Sequence, residues 1–321
     1  MTNNYNLRGR SSTGLRRWWF MLAGIFLLTV FGAKHSLNAQ SITNYSFAAS
    51  SGTFTPVSGG TSVPAILADD AASGALPIGF NFIYMGQAYT SLFASSNGIL
   101  SFGAANTSLT NDLSTGAGRP IIAPLWDDLA GTVGSATYIT TGAPGNRVFT
   151  FEWLNWRFPL GSAVATISMQ VNLYEADGKI EFIYRQEPNA LSGSPGASVG
   201  LAGPLTGAGN FLSLDSVTTT PIVSSTVETT TINARPATGQ IYSFTPPAAP
   251  ASPINLTFSA VTINSMTLDW TDATGEVGYI VERSLDGGDL YCGGYITCQH
   301  RILCGNRFIC KPDVLLEYSQ L

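Results

Sequence analysis

Two adjacent carboxylates, Asp127 and Asp128, follow Trp126 at the end of an apolar run. With backbone carbonyls and Asp112 they could ligate a hard cation such as calcium, which takes oxygen donors. No spaced Asp-x-Asp-x-Asp loop accompanies them, so an acidic turn closing a strand is the preferred reading. Glu152, Glu175 and Glu181 are the carboxylates from which a glycosidase would draw its acid and its base. Their places on alternating strands point instead to a solvated polar face. The aromatics Trp126, Trp153, Trp156, Phe158 and Tyr174 could form a flat platform that stacks on sugar rings. Trp126 and Trp153 stand in apolar contexts that predict core positions. Trp156 and Phe158, within Asn155-Trp156-Arg157-Phe158-Pro159, are expected exposed at a loop or strand end. With Tyr174 they make up the candidate ligand-binding set.

No histidine and no cysteine occurs between Gln40 and Gly288. A Ser-His-Asp triad, a Cys-His dyad and a His or Cys metal site are therefore excluded from that stretch. No catalytic residue is assigned, and the chain is not expected to be an enzyme. No cofactor is expected, calcium at Asp127 and Asp128 being the sole candidate. All four cysteines fall near the C-terminus, at Cys292, Cys298, Cys304 and Cys310, each six residues from the last. In a secreted protein four cysteines suggest two disulfides. A metal site is the other sharp reading, but no Cys-x-x-Cys pair is present and only His300 is close by.

The elements that would position these residues begin after a targeting segment. Arg8, Arg10, Arg16 and Arg17 precede an uncharged apolar run from Trp18 to Ala33, and Leu37-Asn38-Ala39 offers a cleavage point before Gln40. This predicts a signal peptide over residues 1–39, with an apolar run shorter than the roughly 20 residues that span a bilayer. No transmembrane span is expected after cleavage. Removing its five basic residues leaves 10 basic against 20 acidic residues, a net charge of −10. No basic stripe remains to neutralise phosphates, which argues against a nucleic-acid partner. The charged fraction of 11% and the 34 glycines suit a β-rich extracellular domain.

Residues 40–245 read as short strands between turn signals, which predicts an all-β, jelly-roll-like or Greek-key antiparallel sandwich. In Ile167-Ser168-Met169-Gln170-Val171-Asn172-Leu173 apolar and polar residues alternate. Ile167, Met169, Val171 and Leu173 should face a core, and Ser168, Gln170 and Asn172 should face water. Asp177-Gly178 predicts a tight turn, since both positions tolerate positive φ, with Ile180, Phe182 and Tyr184 on the return strand. A second hairpin is expected around Asn97-Gly98, and a third strand over Arg147–Leu154 with Phe149, Phe151 and Trp153 on one face. No window shows a sustained helical period. Residues 246–253 are a proline-rich linker, and strands over 254–258, 265–270 and 279–283 follow.

The segment 254–288 resembles the opening of a fibronectin type III module, on its proline lead-in, Leu268-Asp269-Trp270, and Tyr279 to Arg283. The resemblance implies an incomplete immunoglobulin-like sandwich with Trp270 in its core. The larger segment resembles the extracellular nidogen-like domains and related modules at the front of secreted bacterial surface proteins. The residues that carry it are Leu76-Pro77-Ile78-Gly79-Phe80-Asn81-Phe82, Ser95 to Gly103, Pro120 to Leu129 and Ser198-Val199-Gly200-Leu201. That resemblance implies adhesion or matrix contact and brings no catalytic residues with it.

From Asp289 the composition changes where the fibronectin-like module is only half built. Reading the codons one nucleotide later permits the missing strands, so residues 289–321 are expected to be a frameshifted tail. On this reading its cysteines carry no chemistry. The functional expectation is a non-catalytic adhesion or ligand-binding module, secreted or at the cell surface, with an extracellular glycan or surface protein as partner. The alternative is the accessory N-terminal region of a secreted hydrolase.

Overall fold

The computed structural model describes residues 41–248 and, beyond them, strand residues 254–259, 266–271, 278–284, 290–297, 307–310 and 315–320. The signal-peptide expectation, most of the linker, Cys298 and Cys304 lie outside the described residues.

In chain order the strands of the large domain are β1 (Ser46–Ser51), β2 (Thr61–Ser62), β3 (Leu76–Tyr84), β4 (Gln87–Ala94) and β5 (Leu100–Ser101). There follow β6 (Ile121–Trp126), β7 (Ser135–Thr141), β8 (Val148–Trp156), β9 (Ile167–Tyr174) and β10 (Ile180–Gln186). The last four are β11 (Ser198–Ala202), β12 (Phe211–Leu214), β13 (Val223–Ser224) and β14 (Gln240–Thr245). Two single-turn 3-10 segments, Ile42–Asn44 and Pro64–Ile66, are the only helical pieces among the described residues.

Alternation in β9 does what it predicts on the inner side: Ile167, Met169, Val171 and Leu173 are fully buried, as are Phe149, Phe151 and Trp153 of β8. Each such side chain contributes roughly 1.5–3 kcal/mol on leaving water. The strands assemble into two seven-stranded antiparallel sheets, β1-β14-β10-β9-β8-β7-β2 and β13-β12-β11-β6-β5-β4-β3. One core fills the space between them, drawing on both inner faces. β7 to β10 form a continuous meander, whereas β14 returns from the second sheet to lie between β1 and β10. The arrangement is the antiparallel sandwich expected from the turn spacing.

The outer faces depart from simple alternation. Ser168 and Gln170 are buried rather than wet: the Ser168 hydroxyl is bonded to Asn155, Arg185 and Glu187, and residues 54–57 cross over Gln170. Gln170 Nε2 donates to Thr55 O at 2.8 Å, and Phe54 packs beneath the Arg185 guanidinium. On the second sheet the long loop after β5 covers a small outer cluster of Ile99, Leu113, Ile121, Ala123, Trp126, Ala202 and Phe211. β6, β11 and β12 are consequently buried on both faces, and read as apolar runs for that reason.

Both expected hairpins form. β9 and β10 are joined by a four-residue loop closed by Tyr174 N–H to Lys179 O at 3.0 Å. Only Gly178 takes positive φ there; Asp177 instead accepts the Lys179 N–H through its side chain.

Beyond residue 248, β15 (Ile254–Ser259), β16 (Met266–Thr271) and β17 (Gly278–Ser284) are followed by β18 (Leu290–Thr297), β19 (Arg307–Cys310) and β20 (Leu315–Gln320). They pair as two three-stranded antiparallel sheets, β15-β16-β19 and β18-β17-β20. Trp270 is buried. Cys292 stands opposite Glu282 and Cys310 opposite Met266.

Candidate functional site

The Asn97-Gly98 turn between β4 and β5 organises one pole of the sandwich. Gly98 has φ +73°, and a Cβ there would lie 2.0 Å from Leu125 O, so only glycine fits. Asn97 is fully buried and holds three loops together. Its Nδ2 donates to Asp70 Oδ1 at 2.9 Å and to Thr107 O at 3.0 Å, and its Oδ1 accepts the Leu129 N–H at 3.1 Å. From the opposite sheet, Trp153 Nε1 and Trp156 Nε1 donate to Ser95 O and Ser96 O, each at 2.9 Å.

The same turn brings Asp69, Asp70 and Asp128 together, with ligating oxygens within 4.8 Å of one another. Asp69 and Asp70 are exposed, and Asp70 takes a left-handed φ of 47°. Asp128 Oδ1 is buried and has no hydrogen-bond partner. Burial, followed by the charges of Asp69, Asp70 and Asp127, holds the Asp128 carboxyl above the usual carboxylate range. A hard cation would suit three oxygens so placed, since it offsets their mutual repulsion.

This trio differs from the set expected from sequence. Asp127 turns away: its Oδ2 accepts the Gly196 N–H at 2.8 Å and its Oδ1 the Asp128 N–H at 2.8 Å. Asp112 caps its own turn by accepting from the Thr115 N–H at 2.6 Å and from the Thr115 hydroxyl. Of the expected ligands only Asp128 reaches the cluster. The adjacent pair Asp69-Asp70 was a visible signal of the same kind as Asp127-Asp128, but its loop is distant in sequence.

The aromatic set is also redistributed. Trp156 and Phe158, expected in the open, are both fully buried. β8 runs through to Trp156, and a register shift between Trp153 and Trp156, with Asn155 at φ +57°, turns both indoles inward. Tyr174 is half-buried at the other pole, where its hydroxyl donates to Glu181 and Lys179 Nζ sits 4.0 Å from the ring centroid. The structure therefore brings no platform of Trp156, Phe158 and Tyr174 together. Trp126 and Trp153 are buried as expected, Trp126 in the outer cluster with its Nε1 donating to Ser108 O.

The glutamates are committed to structure. Glu152, expected on a wet face, is 1% exposed and accepts from Gln170 Nε2 at 2.6 Å and Val57 N–H at 3.0 Å. Burial raises its carboxyl above the usual range. Glu175 pairs with Arg147, whose guanidinium also donates to Gly79 O. Glu181 pairs with Lys179. No two of the three share a partner in the manner of a catalytic acid and base.

A family model described as NIDO related matches residues 44–246. The chain belongs to the nidogen-related family. No curated protein and no solved structure matches it. The nidogen-related domain thus covers both sheets from the turn before β1 to the end of β14, and residues 254–288 lie outside the match. Such domains are typical of extracellular proteins, and among the described residues no helix is long and apolar enough to cross a membrane. In this nidogen-related domain the acidic pole lies at the β8–β9 end, because Leu160 N–H donates to Asp128 O. The chain leaves at the far end, where Thr245 stands opposite Ser46.

Proposed function

We propose that this chain is a non-catalytic adhesion or ligand-binding module of a secreted or cell-surface protein. Membership of the nidogen-related family over residues 44–246 carries the reading. The inward commitment of Glu152, Trp153 and Trp156 agrees with it, since these side chains serve the fold rather than a reaction. On this reading residues 1–39 direct export, residues 246–253 act as a spacer, and residues 254–288 begin a fibronectin type III module. The partner is an extracellular glycan or surface protein, met by the loops of the acidic pole rather than by an aromatic platform. The test is binding of the purified chain from Gln40 onward to glycan and matrix-protein arrays, with hydrolysis assays alongside. Saturable binding without turnover supports the proposal; hydrolysis of polysaccharide or protein, or no binding at all, overturns it.

A second reading adds calcium at this pole. The specific observation in its favour is the buried, unpartnered Oδ1 of Asp128, whose carboxylate gathers with those of Asp69 and Asp70 within 4.8 Å. Calorimetric titration with calcium, before and after chelation, tests it directly.

A further inference from the structure

β1 is an edge strand whose sole neighbour among the described residues is β14, antiparallel from Ser46 opposite Thr245 to Ser51 opposite Gln240. The chain enters this ladder at Ser46 and leaves it at Thr245, so both ends of the domain sit side by side at one pole. The rungs of an antiparallel ladder run perpendicular to the strands. Tension drawn through two adjacent ends therefore loads the rungs one after another, whereas tension from opposite ends would load them together.

We propose that β1 is a strap that tension applied between the two ends of the domain peels from β14 while the rest of the sandwich stays closed. The proposal concerns the fold and stands whether or not the acidic pole binds a ligand.

Little side-chain burial resists the peeling. Ser46, Ala48, Ser50 and Ser51 are exposed, and Phe47 and Ala49 are half-buried. Phe47 rests on Phe244 and Tyr242, with ring centroids 5.2 and 5.9 Å away. Two latches guard the start. Before β1, Ile42 is fully buried, and the Tyr45 hydroxyl accepts the Met85 N–H at 3.2 Å. After β14, Pro246 packs close to Gly178, where a Cβ would stand 3.1 Å from the proline ring.

A stop guards the finish. Past Ser51 the chain crosses the outer face of β8 and β9, with Phe54 buried and Val57 N–H bonded to Glu152 Oε2 at 3.0 Å. Peeling thus ends where the crossing segment is tied down. It bares the backbone edge of β14, the kind of edge to which another extended segment can pair.

Single-molecule pulling on the full chain tests this, with DNA handles attached at positions 41 and 248. A first rupture is expected to free residues 41–51, about 38 Å of extended chain, ahead of the main unfolding event at higher force. Handles at positions 133 and 248 leave β1 outside the load path, and the first step should vanish. Ile42→Ala should lower the force of the first step and leave the main event unchanged. One rupture releasing the whole domain under the 41/248 geometry overturns the proposal, as does a first step that persists under 133/248. Equal first-step forces in wild type and Ile42→Ala overturn the latch.

Discussion

The indole N–H of Trp153 donates to the carbonyl of Ser95 at 2.9 Å, across the core from one sheet to the turn of the other. Both groups are buried, so neither can exchange its partner for water. The Trp153→Phe variant keeps most of the ring's apolar surface and leaves that carbonyl unpaired. It should cost about 1–3 kcal/mol, read as a lower urea midpoint with an unchanged slope. No change in midpoint would show that the bond adds nothing to stability.

Gly98→Ala should be far more damaging than its single added methyl suggests. The new Cβ would meet Leu125 O at 2.0 Å on a backbone held at φ +73°. A cost above ~2 kcal/mol is expected, since backbone strain at positive φ adds to the clash. Chemical denaturation measures it, and a near-neutral variant would mean that the turn can open without penalty.

Trp156→Ala distinguishes a binding role from a core role. Because the indole is fully buried, truncation should destabilise the domain by about 3–5 kcal/mol. Tyr174→Phe, at the half-buried pole position, should leave the fold intact. A Trp156→Ala protein of normal melting temperature that had lost ligand binding would contradict this assignment.

Acid should weaken the domain through Glu175. Its hydrogen bonds to Arg147 lower its carboxyl from 4.5 to about 2. A folded-state value below the unfolded one means that the stabilisation is present above pH 4.5 and is lost as pH falls toward 2. Glu175→Gln should therefore flatten the decline in urea midpoint across that window. Glu152 works with the opposite sign: its raised carboxyl favours the protonated folded state, so its ionisation penalty is relieved as pH falls. Equal pH slopes in wild type and Glu175→Gln would refute the assignment to this pair.

Calcium should raise the melting temperature of the wild type and not of Asp128→Asn. Saturation at 100 times the dissociation constant corresponds to about 2.7 kcal/mol of stabilisation. Asp127→Asn should lose stability through the Gly196 N–H that it holds, yet keep its response to calcium. Thermal melts with calcium or chelator read both effects, and a calcium-independent wild type would dismiss a cation at Asp128.

The strands were legible because their periodicity is local. β9 alternates over Ile167 to Leu173, and Asn97-Gly98 marks its hairpin without reference to the rest of the chain. Long-range order was less legible. Ser168 and Gln170 look solvated by period alone, and both find partners from elsewhere in the fold, Ser168 in Glu187 and Arg185 and Gln170 in the crossing residues 54–57. Trp156 reads as a loop residue until the shift beside Asn155 turns it inward.

By itself the sequence determined the class of the domain and the absence of histidine and cysteine chemistry from residues 40–288. Both follow from residue type and short-range pattern, which act within a strand and its turn. Which carboxylates meet was decided by tertiary structure alone. Asp69 and Asp70 approach Asp128 because Asn97, buried in a tight turn, bonds the loops that carry them. Contacts between segments so distant along the chain depend on how the two sheets stack, and no local period encodes that stacking.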